Sequence, residues 1–128
     1  MNIAAVDILV ADHDPQMRGL LASVLRGHGF PFVHFASNGT EAMHLIGGRT
    51  PSVRIAFLEI DMPGLSGIEI MKNVKRLELP CLCVVVSAHS AIENVKAAFL
   101  SGARGFVVKP FNAQKVVELL RGFERDLQ

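Results

Sequence analysis

Four side-chain types in this chain have the right spacing to handle a phosphoryl group or a metal ion. Acids cluster at Asp12-His13-Asp14, a lone acid ends an apolar run at Glu59, a hydroxyl ends another at Ser87, and an amine ends a third at Lys109. Carboxylates of this kind hold Mg²⁺ or present a nucleophile, while a hydroxyl and an ammonium receive phosphoryl oxygens. The stretch FLEIDMPGLSG, residues 57–67, is the most informative. Its apolar run delivers Glu59 to its end, and Met62-Pro63-Gly64 then turns the chain. An apolar strand that stops at an acid and breaks into a Pro-Gly turn puts that acid at the carboxyl edge of a sheet, where open α/β folds keep their chemistry.

The elements needed to bring these residues together recur along the chain. Short β-rich apolar runs predict strands at Asp7–Ala11, Phe32–Ala36, 53–58, 82–86 and Gly105–Val108, each followed by an amphipathic helical stretch. Met17, Leu20, Leu21, Val24 and Leu25 share one helical face, Ala42, Leu45 and Ile46 another, and Val116, Leu119, Leu120, Phe123 and Leu127 a third. Pro15 suits a first helical turn, Gly27 and Gly29 a helix stop, and Asn38-Gly39-Thr40 a helix start. Ser66 with Glu69, and Ser90 with Glu93, have capping-box spacing. Five βα units in series predict an α/β fold, a doubly wound five-stranded parallel sheet in the order 2-1-3-4-5, as a flavodoxin-like three-layer sandwich. In that topology the ends carrying Asp12, Glu59, Ser87 and Lys109 converge on one crevice.

Composition narrows the function. The chain of 128 residues is 50% hydrophobic and carries 13 basic against 12 acidic residues, a net charge of +1. This suits one domain, residues 1–128, and argues against nucleic-acid binding driven by bulk charge. Its apolar runs are too short to span a membrane, and the N-terminus meets acids too early for a signal peptide, so the cytoplasm is the expected location. Cys81 and Cys83 lie two apart in a strand-like run, which is poor disulfide geometry, and they read as small core residues.

Taken in order, ILVADHDP, ASNGTEAM, FLEIDMPGLSG, VVVSAH and GARGFVVKPF make nearly the whole chain resemble a CheY-like response-regulator receiver domain. The resemblance implies a module of two-component, phosphorelay signalling that takes a phosphoryl group from a histidine kinase, binding Mg²⁺ through an acidic pair after strand 1. It places Glu59 at the phosphoacceptor position, Asp12 and His13 at the acidic pair, Ser87 at the switch hydroxyl, Phe106 at the switch aromatic, and Lys109-Pro110 at the lysine with its usually cis peptide. Asp61 matches a position that offers mainly its backbone carbonyl. Helix 4, strand 5 and helix 5 (residues 90–101, Gly105–Val108 and 112–127) are implied as the face that meets a kinase, a phosphotransfer protein or a downstream target. A homodimer stays open, as does the choice between a short whole protein, which Met1 and Gln128 favour, and a domain of a larger regulator.

The departures carry the expectation. Glu59 is one methylene longer than the family's aspartate, and a nucleophile misplaced by about 1 Å costs on the order of a hundredfold in rate. His13 is a borderline ligand where hard Mg²⁺ wants oxygen, so Asp12 alone gives a weak or absent Mg²⁺ site. The expectation is a phosphorylation-independent receiver that acts by protein–protein contact and is not an enzyme. Alternatives are a working receiver with Glu59 or Asp61 as acceptor, and a Mg²⁺-dependent phosphohydrolase with Asp12 as nucleophile. The chain has no room for the capping insertion the latter needs. Flavin or nucleotide binding wants a Gly-rich anion loop, and ADHDP would repel phosphate.

For the surviving Lys109 and Ser87 there are two accounts. Either Glu59 reaches Lys109 and partly imitates a phosphorylated aspartate, or Glu59–Lys109 is a neutral ion pair in a site without a trigger. His13 with Asp12, Asp14 and Glu59 also offers a transition-metal set, set against Asp14 as a helix cap and His13 as an imidazolium that pairs with Glu59 and would make the site sense pH. His28, His34, His44 and His89 are expected at the surface or at helix ends, with His89 at the rim of the crevice.

Overall fold

The computed structural model describes residues 5–126. Its elements run β1 (Asp7–Ala11), α1 (Pro15–Gly27), β2 (Phe32–Ala36), α2 (Gly39–Gly47), β3 (Val53–Glu59), α3 (Gly67–Arg76), β4 (Leu82–Ser87), α4 (Ile92–Leu100), β5 (Gly105–Val108) and α5 (Ala113–Asp126). All strand pairs are parallel, in the order β2-β1-β3-β4-β5. Strand bounds match the sequence reading for β1, β2 and β5, while β3 and β4 each run one residue further, to Glu59 and Ser87. Leu127 and Gln128, like Met1, lie outside the described residues.

The period of two explains why the central strands read as unbroken apolar runs. Leu9 and Ala11, Ala56 and Leu58, Cys83 and Val85 point to one face, where Ala42, Ile46, Ile70, Met71, Val74 and Ala98 of α2, α3 and α4 cover them. Ile8 and Val10, Ile55 and Phe57, Val84 and Val86 point to the other, under Leu21, Leu25, Val116, Leu120 and Phe123 of α1 and α5. A sheet buried on both faces cannot alternate apolar with polar residues. Leu20 departs from the expected α1 stripe: it is 58% exposed, on the rim of an open groove with Met17, Val24, Pro110, Phe111 and Ala113. Cys83 is buried, but Cys81 precedes β4 and is only half-buried; both are free thiols. A hydrogen bond with Cys83 and burial push the Cys81 pKa upward, which keeps it a thiol rather than a reactive thiolate.

Helix starts follow local chemistry, with one exception. Asp14, Asn38 and Ser66 each accept a backbone N–H at the head of α1, α2 and α3, and Ser66 with Glu69 closes a full capping box. Asn112 accepts from the Lys115 amide at 2.9 Å. The expected Ser90–Glu93 box does not form. Helix α4 starts one residue later than that spacing requires, with Ala91 at its N-cap and no side-chain cap.

Candidate functional site

Register brings the site together. Ala11 pairs with Leu58 and Val86 with Glu59, so Asp12, one residue past β1, comes to lie beside Glu59. Ser87 pairs with Val108, and the Lys109 amide donates to the Ser87 carbonyl at 2.9 Å, which seats Lys109 at the end of β5. The turn after β3 is set by Gly64, whose φ of +81° is left-handed. Behind it, a Cβ at Gly67 would sit 2.6 Å from the Glu59 carbonyl oxygen, so only glycine lets α3 begin that close to the acid.

Asp12 and Glu59 are buried, with 4% and 8% of their surface exposed, and both face the Lys109 ammonium. Lys109 Nζ lies 2.7 Å from Asp12 Oδ2 and 3.1 Å from Glu59 Oε1. Burial works against the ammonium, but hydrogen bonds to Asp12 and Glu59 and their charges outweigh it and raise the Lys109 pKa. The free oxygens of both acids turn toward His13. Its Nδ1 lies 2.5 Å from Glu59 Oε2 and 3.8 Å from Asp12 Oδ1, and its amide donates to Glu59 Oε2 at 3.3 Å. The hydrogen bond to Glu59, then the Glu59 charge, raises the His13 pKa above its ordinary 6.5. Two carboxylates therefore meet an ammonium and an imidazole inclined to hold a second proton.

The other expected residues are placed less centrally. Ser87 is buried, with Oγ accepting the His89 amide at 3.0 Å. Phe106 is half-buried against the α2–α4 core, and the Lys109-Pro110 peptide is cis. The Asp61 carboxylate is exposed and pairs with His89 Nε2 at 3.2 Å. Asp14 is a cap, not a member of the cluster. His28 and His34 pair with Glu124 and Asp7, away from the crevice, and His44 is exposed. Sequence reasoning missed Arg18, whose Nη1 donates to the Asp12 carbonyl at 2.8 Å and holds the loop after β1. An arginine one turn into the helix that follows an acidic loop is the signal that would have found it.

The Mg²⁺ that the fold implies does not suit these donors. Mg²⁺ demands near-octahedral oxygen ligation. Here one oxygen of each acid is held by an ammonium, and the position next to Asp12 supplies an imidazole nitrogen.

Comparison with known proteins agrees with the architecture. Residues 8–121 match the family described as Response regulator receiver domain. The nitrogen assimilation regulatory protein NtrX of Azorhizobium caulinodans is 36% identical over 115 residues, which cover 88% of this chain and 25% of that protein. The chemotaxis protein CheY of Bacillus subtilis is 31% identical over 113 residues, covering 88% of this chain and 92% of that one. The chain thus spans about a quarter of the nitrogen regulators it matches and nearly all of CheY. Among solved structures, the CheX–CheY–BeF₃–Mg²⁺ complex of Borrelia burgdorferi aligns with a TM-score of 0.85 at 25% identity, over 92% of this chain and 88% of that one.

Proposed function

The chain belongs to the response-regulator receiver domain family, and from that premise we propose that it signals by protein–protein contact without taking up a phosphoryl group. One observation carries this reading. Lys109 bridges Asp12 and Glu59 while His13 pairs with the other Glu59 oxygen, so each oxygen of the acid at the acceptor position is already engaged in a close contact. Attack would require breaking a charge-assisted hydrogen bond, without the metal that neutralises an incoming phosphoryl group. Of the two accounts of Glu59, this favours the neutral ion pair. The single carboxylate charge is engaged by the Lys109 ammonium and the His13 ring together, and the Ser87 hydroxyl is engaged with the His89 amide.

On this reading the domain is a binding module and not an enzyme, and Mg²⁺ is not its cofactor. Its partner is a histidine kinase, a phosphotransfer protein or a downstream target. The partner face is α4–β5–α5, where Ile92, Phe99, Leu100 and Val108 are exposed. Apolar side chains gathered on one face suit a protein partner. The near-neutral charge gives nucleic acid no purchase. Among the described residues no helix is long and apolar enough to cross a membrane, and we place the domain in the cytoplasm.

The test is incubation with phosphoramidate or acetyl phosphate and Mg²⁺, read by intact mass. The expected result is no phosphoryl adduct on this chain, and an adduct on the variant carrying Glu59→Asp with His13→Asp. An adduct on the unaltered chain that vanishes in Glu59→Gln would overturn the reading and make it a working receiver.

A further inference from the structure

The end of the sheet opposite the crevice gathers sulfur, and we propose that Cys81, Cys83 and Met71 form a site for a soft monovalent cation, Cu(I). Cys81 stands just before β4 and Cys83 is its second residue, so both lie at the amino edge of the strand whose other end carries Ser87. Side chains two apart in an extended run face the same way. Cys83 is accordingly buried in the core beneath α2, α3 and α4, and Cys81 packs against that same core, while Leu82 between them joins the opposite one. The two thiols share a hydrogen bond. Parallel side chains suit a disulfide poorly, because its sulfurs must close to about 2 Å. A metal asks for less: with metal–sulfur bonds of roughly 2.3 Å, two thiolates stand about 4 Å apart.

What surrounds the pair is a second observation. Cys81 and Cys83 line an open cavity of about 330 Å³, and Met71 of α3, itself buried, lines it too. Three sulfur-bearing side chains from two elements therefore meet one space with a way in from solvent. Thiolate and thioether are soft donors that select Cu(I). A structural Zn²⁺ wants four ligands, and among the described residues no third histidine, cysteine or carboxylate joins this pair. Binding breaks two S–H bonds and forms two Cu–S bonds; both protons leave to solvent and copper stays Cu(I). Uptake displaces a firmly held Cys81 proton, which favours a metal with a strong hold on thiolate. The two thiolates with one Cu⁺ carry a single negative charge. Lys75 and Arg104 line the cavity, and Arg54, whose Nε donates to the Pro80 carbonyl at 3.2 Å, acts on Cys81 from beside it. Glu78 is the one acid on the cavity wall, so the charge of the complex is offset.

The test uses the whole chain, reduced and metal-free, titrated with Cu(I) without oxygen against bicinchoninate, a coloured Cu(I) chelator. The site lies at the far end of the sheet from Glu59 and no phosphoryl donor is present, so the outcome is independent of the phosphorylation result. The expected result is one Cu(I) per chain drawn from the chelator, with a sulfur-to-copper charge-transfer band that excess Zn²⁺ leaves unchanged. Cys81→Ala and Cys83→Ser, each checked for folding by circular dichroism, should weaken binding by more than about a hundredfold, since loss of an outer-shell partner alone costs about 10- to 100-fold. Met71→Leu keeps the volume and removes the weaker donor, so it should cost about tenfold. No uptake against the chelator, one copper shared between two chains, displacement by Zn²⁺, or unchanged binding in Cys81→Ala or Met71→Leu would each overturn the proposal.

Discussion

The charged groups that β1, β3 and β5 bring to the crevice answer one another, whereas α4, the helix that follows β4, buries little. Asp12, Glu59, Lys109 and His13 form one closed set of contacts, flanked by an α3 with a full capping box and four buried residues. Helix α4 has no side-chain cap and buries Ala98 alone, while Ile92 and Leu100 are 70% and 80% exposed. A region whose polar groups are mutually satisfied resists local opening, and one with few buried apolar contacts opens at low cost. The half of the domain that would receive a signal is thus locked, and the half that would pass it on is loosely held. This contrast is in keeping with the proposed reading, in which a partner docks on the α4 face and Glu59 takes up no phosphoryl group.

Removing the central cation should break that contrast most strongly. Lys109→Met leaves two buried acids facing each other, with His13 still paired to Glu59. Unpairing a buried ion pair costs roughly 3–5 kcal/mol, and access of water to this crevice brings the expected loss to about 2–4 kcal/mol. Urea unfolding would measure it, and Glu59→Gln added to Lys109→Met should recover part of the loss. A change under about 0.5 kcal/mol would mean the cluster contributes nothing beyond an ordinary surface position.

The two helix heads sharpen the comparison at a smaller scale. Ser66→Ala removes the Oγ that accepts the Glu69 amide at 3.2 Å and should cost about 1 kcal/mol. Ser90→Ala, with the same sequence spacing to its glutamate but no cap formed, should stay within about 0.5 kcal/mol. Equal losses at the two sites would show that α4 is capped in solution. Hydrogen exchange should rank the helices the same way, with α4 amides exchanging before those of α3.

These helix heads also mark how far the sequence could be read. Apolar runs, turn residues and caps are local signals, and they foretold the strand order and three of the helix starts. The Ser90 spacing failed because a cap depends on where the backbone leaves its turn, and here the helix starts one residue later, at Ile92. At the site, parallel register alone was enough to bring Asp12, Glu59 and Lys109 together. A pairing of His13 with Glu59 could be raised from the sequence, but which oxygen faces which cation was not legible, nor were the distances of 2.5 Å to Glu59 against 3.8 Å to Asp12. Those depend on side-chain reach across strands 46 residues apart in sequence, and no local pattern encodes them. The diversion of Asp61 to His89 was hidden for the same reason.

The smallest effect tests whether His13 belongs to the locked half. In the folded chain its pKa stands above 6.5, raised first by the hydrogen bond to Glu59, so the native state holds that proton more tightly than the unfolded one. Stability from this source is fully present below pH 6.5 and is lost as pH rises through the higher folded value. The stability difference between the unaltered chain and His13→Gln should therefore shrink as pH is raised through that window, and an NMR titration of the His13 ring should show a midpoint above 6.5. The effect is small because more than half of the side chain meets solvent, which screens the pair. A difference that stays flat with pH, or a midpoint at or below the ordinary value, would detach His13 from the cluster. It would leave Lys109 alone to hold the two acids.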